Sequence, residues 1–427
     1  MCAKSCIKTL VTVLQLFVIV YLVEMESIIQ MRKIVILGCN DKTRALVPLL
    51  VKDSSISPEI CIASRDKAAC DEIKHKYAGS PVRISTARVD LANEAGTKMM
   101  LSITQPDMIV HLTEPRYSST IMKLALEMGA TYIDCALDES DNSDLLAKQF
   151  EMFGDFRSKG ITAITGCGFN PGVVTSYIRS LLGFDFDSIT DADMFDVEAL
   201  ASRKYSLKEI LEADKCNGDA GKASVIVSSE YKEVDSLSEK IEVEIAAGKS
   251  KTLYLMNNSI VEDFSKELPE FPNVRYFAPY AKPDSSVLDK FRPTGMLSTE
   301  PIEIAGVKIA PIDFLEKVIE SAGGLSQDDV EGEVDDDIGS GIIIKGKRGG
   351  KDKTIMAYVG GNEKDYRKKY GVGFREYADG VAMFAGIKLI ARGKWKKAGV
   401  FTPCAFDASL MVTELHKEGF EYKEKII

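Results

Sequence analysis

Three short stretches hold residue types and spacings that can do chemistry. The first is Gly38-Cys39-Asn40-Asp41-Lys42-Thr43, between the apolar run Lys33–Leu37 (KIVIL) and a helical pattern over 41–52. A glycine that ends a buried strand and opens a helix is where a dinucleotide fold holds a pyrophosphate, on free N–H groups at the positive end of the helix dipole. The usual pattern is Gly-x-Gly-x-x-Gly, and only Gly38 keeps it here. Asn40 tolerates left-handed angles, but its side chain is expected to take up room a pyrophosphate needs, and Asp41 adds a negative charge. The second stretch is Ala63-Ser64-Arg65 at the end of a strand pattern over Glu59–Ser64. NAD-binding folds place an Asp or Glu at this corner for the ribose 2′-OH. A hydroxyl and a guanidinium instead suit a 2′-phosphate, so the pair reads as a preference for NADP, the alternative being an exposed loop arginine. Asp90, after the third strand, either meets the adenine edge or caps the next helix.

The third stretch is GCGFNPG, Gly166–Gly172, which follows a strand and opens a helix. It either closes on a ligand carboxylate or is a structural turn for which Asn170 and Pro171 suffice as cap. Its place at a strand's C-terminal end favours a ligand. Asp134 and Cys135, in Thr131–Ala136 (TYIDCA), sit at the same end of the sheet. Asp134 is either a site carboxylate or a buried, hydrogen-bonded one. His111 lies inside an apolar run and reads as packed core. No Ser-His-Asp, Cys-His or metal pattern accompanies these residues, so no catalytic acid, base or metal ligand is assigned.

The elements that must position them are legible from Arg32 onward. Strand patterns at 33–37, 59–64, 82–89, 107–112 and 131–136 alternate with helical patterns at 41–52, 66–77, 94–103 and 120–128. That alternation predicts a parallel, doubly wound α/β sheet of the Rossmann type over residues 31–165. It continues through a helix at 142–159, a strand at 161–165 and a helix at 173–182. Beyond Asp187 short strands dominate, at 223–229, 241–246, 251–256, 274–277 and 302–304. Two more, at 342–344 and 354–359, flank KGKRGGKDK as a hairpin. Residues 166–377 therefore read as an α+β domain on a partly antiparallel sheet. Helical patterns follow at 378–391 and 414–419. The acidic run Asp328–Asp337 fails the register of a calcium loop and reads as a solvated connection.

Composition narrows the classes. The chain has 427 residues, 45% hydrophobic and 28% charged, enough for two or three domains. Its 54 Lys and Arg against 64 Asp and Glu give a net charge of −10, which disfavours nucleic acid as a partner. The nine Cys form no C-x-x-C pair; Cys39, Cys61, Cys135 and Cys167 are expected as buried free thiols in a reducing, cytoplasmic compartment. Residues 1–30 stand apart. Their apolar stretch over 7–23 is short for a spanning helix and lacks a cleavage signature. A misassigned start ahead of Met31, a membrane anchor and a targeting leader remain open; membrane association follows only if residues 7–23 are translated.

KIVILG at 33–38, ASR at 63–65, TYIDCA at 131–136 and GCGFNPGVV at 166–174 together resemble the saccharopine dehydrogenase family. GMLSTEPIEIAGVKIAPIDFL at 295–315 and GVAMFAGIKLIARGKWKKAGVF at 380–401 are most similar to its carboxynorspermidine dehydrogenase (carboxyspermidine reductase) branch. The resemblance implies an NADPH-dependent reductase of a Schiff base, formed from a small-molecule amine and an amino acid semialdehyde. It implies that Gly38, Ser64, Arg65 and Asp90 contact NADP and that Asp134, Cys135 and Gly168–Gly172 border nicotinamide and substrate. It also implies that residues 378–427 rejoin the first domain, that the middle domain inserts and dimerises, and that the protein is a homodimer. A saccharopine-type substrate is the alternative within the enzyme class. A non-catalytic member that binds a ligand or partner is the alternative outside it.

Overall fold

The computed structural model describes residues 31–135, 145–182, 185–198, 204–207, 210–211, 221–258, 260–261, 268–269, 271–280, 287–304, 306–326 and 336–427. The leader stretch 7–23, Ala136, the start of the helix expected at 142–159 and most of the acidic run 328–337 lie outside them. Among the described residues no helix is long and apolar enough to cross a membrane.

Six strands and seven helices open the chain: β1 (Ile34–Leu37), α1 (Asp41–Lys52), β2 (Glu59–Ser64), α2 (Lys67–Lys76), β3 (Arg83–Arg88), α3 (Glu94–Thr104), β4 (Met108–His111), α4 (Ser118–Met128), β5 (Thr131–Asp134), α5 (Leu145–Glu151), α6 (Phe153–Ser158), β6 (Thr162–Ile164) and α7 (Val174–Leu181). The single helix expected up to Lys159 is two, broken at Met152. With the strand Gly399–Phe401 added beside β6, the sheet runs Gly399–Phe401, β6, β5, β4, β1, β2, β3, and every pairing is parallel. Both faces are covered, which is why β1 reads as an unbroken β-branched run. Val35, Leu37, Ile109 and Tyr132 pack with Leu101, Ile121, Leu124 and Ala125 of α3 and α4.

Register decides what meets at the sheet's edge. Leu37 pairs with Ala63 on one side and His111 on the other, and His111 pairs with Asp134. The turns after β1, β2, β4 and β5 therefore emerge side by side, and the strand order reverses between β1 and β4, where such sheets bind ligands.

The chain divides into two compact units. The first holds the described residues up to Ser180 together with Arg375–Phe420; the second holds Leu181–Phe374 and Glu421–Ile427. The second unit is built on a mixed sheet of nine strands. Its longest pair, Asp337–Arg348 and Lys351–Asn362, is the expected hairpin, but each strand has 12 residues and only Gly349 and Gly350 turn. The lysines expected in the turn sit on the strand ends. Ser188–Val197, a strand the sequence reading missed, lies between Asn273–Ala278 and Asp337–Arg348. Its aspartates hid it: Asp193 is held by Arg275 at 2.8 and 3.0 Å and Asp196 accepts from Tyr276 Oη at 2.9 Å.

Candidate functional site

Gly38, Asn40, Ser64, Arg65 and Asp90 all line one cleft of about 410 Å³ at the C-terminal edge of the first sheet. Its local construction starts with Asn40, which is the N-cap of α1. Its Oδ1 accepts from the Thr43 N–H at 3.2 Å and its Nδ2 donates to the Leu112 carbonyl at 2.6 Å. Two hydrogen bonds thus hold this side chain in the cap, at the rim of the cleft it lines. Among the described residues no acceptor meets the first-turn N–H groups of Asp41 and Lys42. They remain available for an anion.

At the end of β2, Ser64 Oγ accepts from the Asp66 N–H at 3.3 Å. Arg65 is 71% exposed and only 3.9 Å from Glu114, an ion pair too open to hold it. Asp90 does not cap α3. Its Oδ1 accepts from the Ala92 N–H, and Asn93 is the cap. Cys39 also departs from expectation: it is half-exposed at the cleft, beside Cys70, whereas Cys61, Cys135 and Cys167 are buried free thiols. Arg65, the Ser64 hydroxyl and the open N–H groups make a donor set that fits a phosphorylated dinucleotide.

The Gly166–Gly172 turn is fixed from below. Asp134 is fully buried, and its Oδ1 accepts from the Gly166 N–H at 2.8 Å and Thr165 Oγ1 at 3.3 Å. Its Oδ2 accepts from Tyr132 Oη at 2.7 Å and Gln149 Nε2 at 2.8 Å. The chain closes so tightly that a Cβ on Gly168 would lie 2.6 Å from the Cys135 carbonyl oxygen, and one on Gly172 would lie 2.4 Å from that of Gly166. The turn is one wide loop over Phe169–Val173, with Asn170 in extended backbone. Asn170 does not act as a cap. Its Oδ1 is buried with no partner among the described residues. Pro171 lies within the loop, its side chain outside what is described.

Two residues without a role in the sequence reading join these parts. Lys42 Nζ is 2.7 Å from Asp379 Oδ2 and 3.7 Å from Cys135 Sγ. Asp379 Oδ1 accepts from the Phe169 N–H at 2.8 Å. Asp379 belongs to the helix Phe374–Ala391, whose Gly380 is pressed against Ala45 of α1, where a Cβ would lie 2.5 Å from that of Ala45. The small residues of ADGVAMFAG were the available signal: they bring this helix close enough for Asp379 to reach Lys42. Gln149 and Thr165 gave no signal, being ordinary polar residues in sequence.

Electrostatics follow burial. Asp134 is pushed up to about 6 by burial, against the pull of its four donors. Burial lowers His111 to about 4. Tyr132 gives its one O–H proton to Asp134, so His111 donates from Nδ1 to Tyr132 Oη at 3.0 Å and accepts at Nε2 from Thr113 at 2.7 Å. It is neutral packed core, as expected. Burial raises Cys135 to about 12, which leaves it a thiol at neutral pH. For Lys42 burial works to lower the ammonium pKa, but Cys135 and Asp379 outweigh it and hold the group above the ordinary lysine range. With Cys135 neutral, the Asp379 carboxylate is the charge that matters.

Residues 34–164 match the family described as Saccharopine dehydrogenase NADP binding domain. The chain is 26% identical over 382 residues to a carboxyaminopropylagmatine dehydrogenase of Synechocystis sp., covering 86% of this chain and 91% of that one. It is 21% identical over 387 residues to a carboxynorspermidine synthase of Vibrio alginolyticus, covering 87% and 91%. Its fold is similar to that of the saccharopine dehydrogenase (L-Glu forming) of Saccharomyces cerevisiae, with a TM-score of 0.66 at 15% identity over 93% of this chain and 100% of that one.

Proposed function

We propose that this chain, whose residues 34–164 match the saccharopine dehydrogenase NADP binding domain, is an NADP-dependent oxidoreductase that reduces the Schiff base of an amine and an amino acid semialdehyde. One observation carries the reading: Gly38, Asn40, Ser64, Arg65 and Asp90 converge on one cleft at the switch point of a parallel sheet. The substrate class rests on similarity, over most of both chains, to relatives named for carboxyaminopropylagmatine and carboxynorspermidine.

Ser64 and Arg65 receive the 2′-phosphate, and the Asp41 and Lys42 N–H groups receive the pyrophosphate. Asp90 borders the adenosine end. When bound, NADPH supplies the hydride. Cys135 and the loop Gly168–Gly172 border the substrate, and Asp134 positions that loop without touching it. Hydride addition to an iminium builds no large new charge, so the protein's task is to orient and shield the reactants.

NADPH and NADH titrations of the full chain, followed by nicotinamide fluorescence, test the cofactor. Micromolar NADPH binding with much weaker NADH binding is expected, and Arg65→Ala should weaken NADPH by about 10- to 100-fold while leaving NADH unchanged. Equal binding of both would make Arg65 a loop residue. No binding of either would overturn the reductase. Consumption of NADPH with aspartate β-semialdehyde and 1,3-diaminopropane or putrescine then tests the substrate class.

A further inference from the structure

We infer that the Lys42–Asp379 ion pair is the receptor for the α-amino-acid head of the substrate, Lys42 taking its carboxylate and Asp379 its ammonium. The inference rests on the reductase reading and names the recognition element of that same site. Lys42 stands in the first turn of α1, yet its Nζ lies beside Cys135 at the end of β5, with β4 between β5 and β1. Ser64 and Arg65 lie on the other side of β1, at the end of β2. The cleft thus has an Arg–Ser end and a Lys42 end, separated by the switch point, with Asp379 held against Lys42. A phosphorylated adenosine at the first end leaves the reacting half of the cofactor, and the substrate, at the second.

Lys42 lines the cleft and Asp379 stands behind it, with side chains 34% and 15% exposed, so the pair is not sealed. It is also rigid: the Phe169 N–H fixes the carboxylate and Asp379 fixes the ammonium at 2.7 Å. An ion pair serving packing alone does no better than apolar residues of the same volume. A rigid cation and anion side by side instead match a zwitterion in the reverse sense, whereas a simple amine or a keto acid answers only one of the two charges. The semialdehyde half of the proposed Schiff base brings such a zwitterion. The buried Asn170 Oδ1, one residue past Phe169, is a further unfilled acceptor in the same loop.

Calorimetry on the full chain with L-2,4-diaminobutyrate, the head carrying its reduced nitrogen, provides the test. Two altered probes accompany it: L-2,4-diaminobutyramide, whose carboxylate is replaced by a neutral amide, and 4-aminobutyrate, which lacks the α-ammonium. The wild type should bind the diaminobutyrate at least about tenfold tighter than either. Lys42→Met should bring it down to the diaminobutyramide level. Asp379→Asn, which keeps an acceptor for the Phe169 N–H, should bring it down to the 4-aminobutyrate level. The double variant K42M/D379N leaves no unpaired charge, guards against misfolding, and should bind all three probes alike. Variants that keep the wild-type ranking would overturn the assignment. NADPH titration of the same samples separates the two readings. NADPH binding without diaminobutyrate binding overturns the receptor alone, and binding of neither overturns the reductase as well.

Discussion

Asp134 and His111 share one buried polar chain but titrate in opposite senses. Burial raises Asp134 from 3.8 to about 6, so the folded protein keeps a proton that the unfolded chain releases. Its contribution to stability is full below about pH 4 and is lost as pH rises to about 6. His111 is depressed from 6.5 to about 4, so its contribution is full above about pH 6.5 and is lost as pH falls to about 4. Each swing is about 3 kcal/mol at about 1.4 kcal/mol per pH unit, and in the wild type they largely cancel. Urea unfolding at a series of pH values should therefore show Asp134→Asn minus wild type rising from pH 4 to 6, and His111→Gln minus wild type falling. Parallel curves would mean that neither group titrates there. The sequence left Asp134 open between site and structure because its donors are remote: Gln149 is 15 positions away and Thr165 is 31. Strand-end placement was readable; hydrogen-bond partners were not.

Elements were readable where a single apolar period ruled them. The runs at 33–37 and 59–64 became β1 and β2 almost residue for residue, because strands buried on both faces carry few polar residues. Ser188–Val197 escaped because its polar residues are neutralised by neighbouring strands, a compensation that exists only in three dimensions. The Gly166–Gly172 loop falls between: its glycines signalled close approach, but not to what. The neighbour is the Cys135 carbonyl, 2.6 Å from a Gly168 Cβ, and backbone on both sides cannot yield as a flexible side chain would. Gly168→Ala should therefore cost about 1–3 kcal/mol of stability in urea unfolding. It should also weaken the diaminobutyrate probe by pushing Phe169 away from Asp379. An unchanged urea midpoint would show that the loop has slack, and Asp379 would then be held by Lys42 alone.

At the scale of the whole molecule, a net charge of −10 and a phosphate-bearing cofactor are in conflict, since the long-range field of an acidic protein repels an anion. The first unit meets this locally. Two cations, Lys42 and Arg65, stand in a cleft that also holds Asp90 and Glu114, so the site itself is close to neutral and works through short contacts. Added salt acts on both parts: it screens the local attraction and equally relieves the global repulsion, over a Debye length of about 10 Å at 0.1 M. NADPH affinity should therefore change only a few-fold between about 0.05 and 0.5 M salt. Arg65→Ala should tilt the dependence toward tighter binding at high salt, because the repulsion is then the larger of the two. A steep loss of affinity with salt, of the kind a broad basic surface gives, would mean that the anion engages cations well beyond this cleft. The charge balance of the sequence then excludes less than it does here.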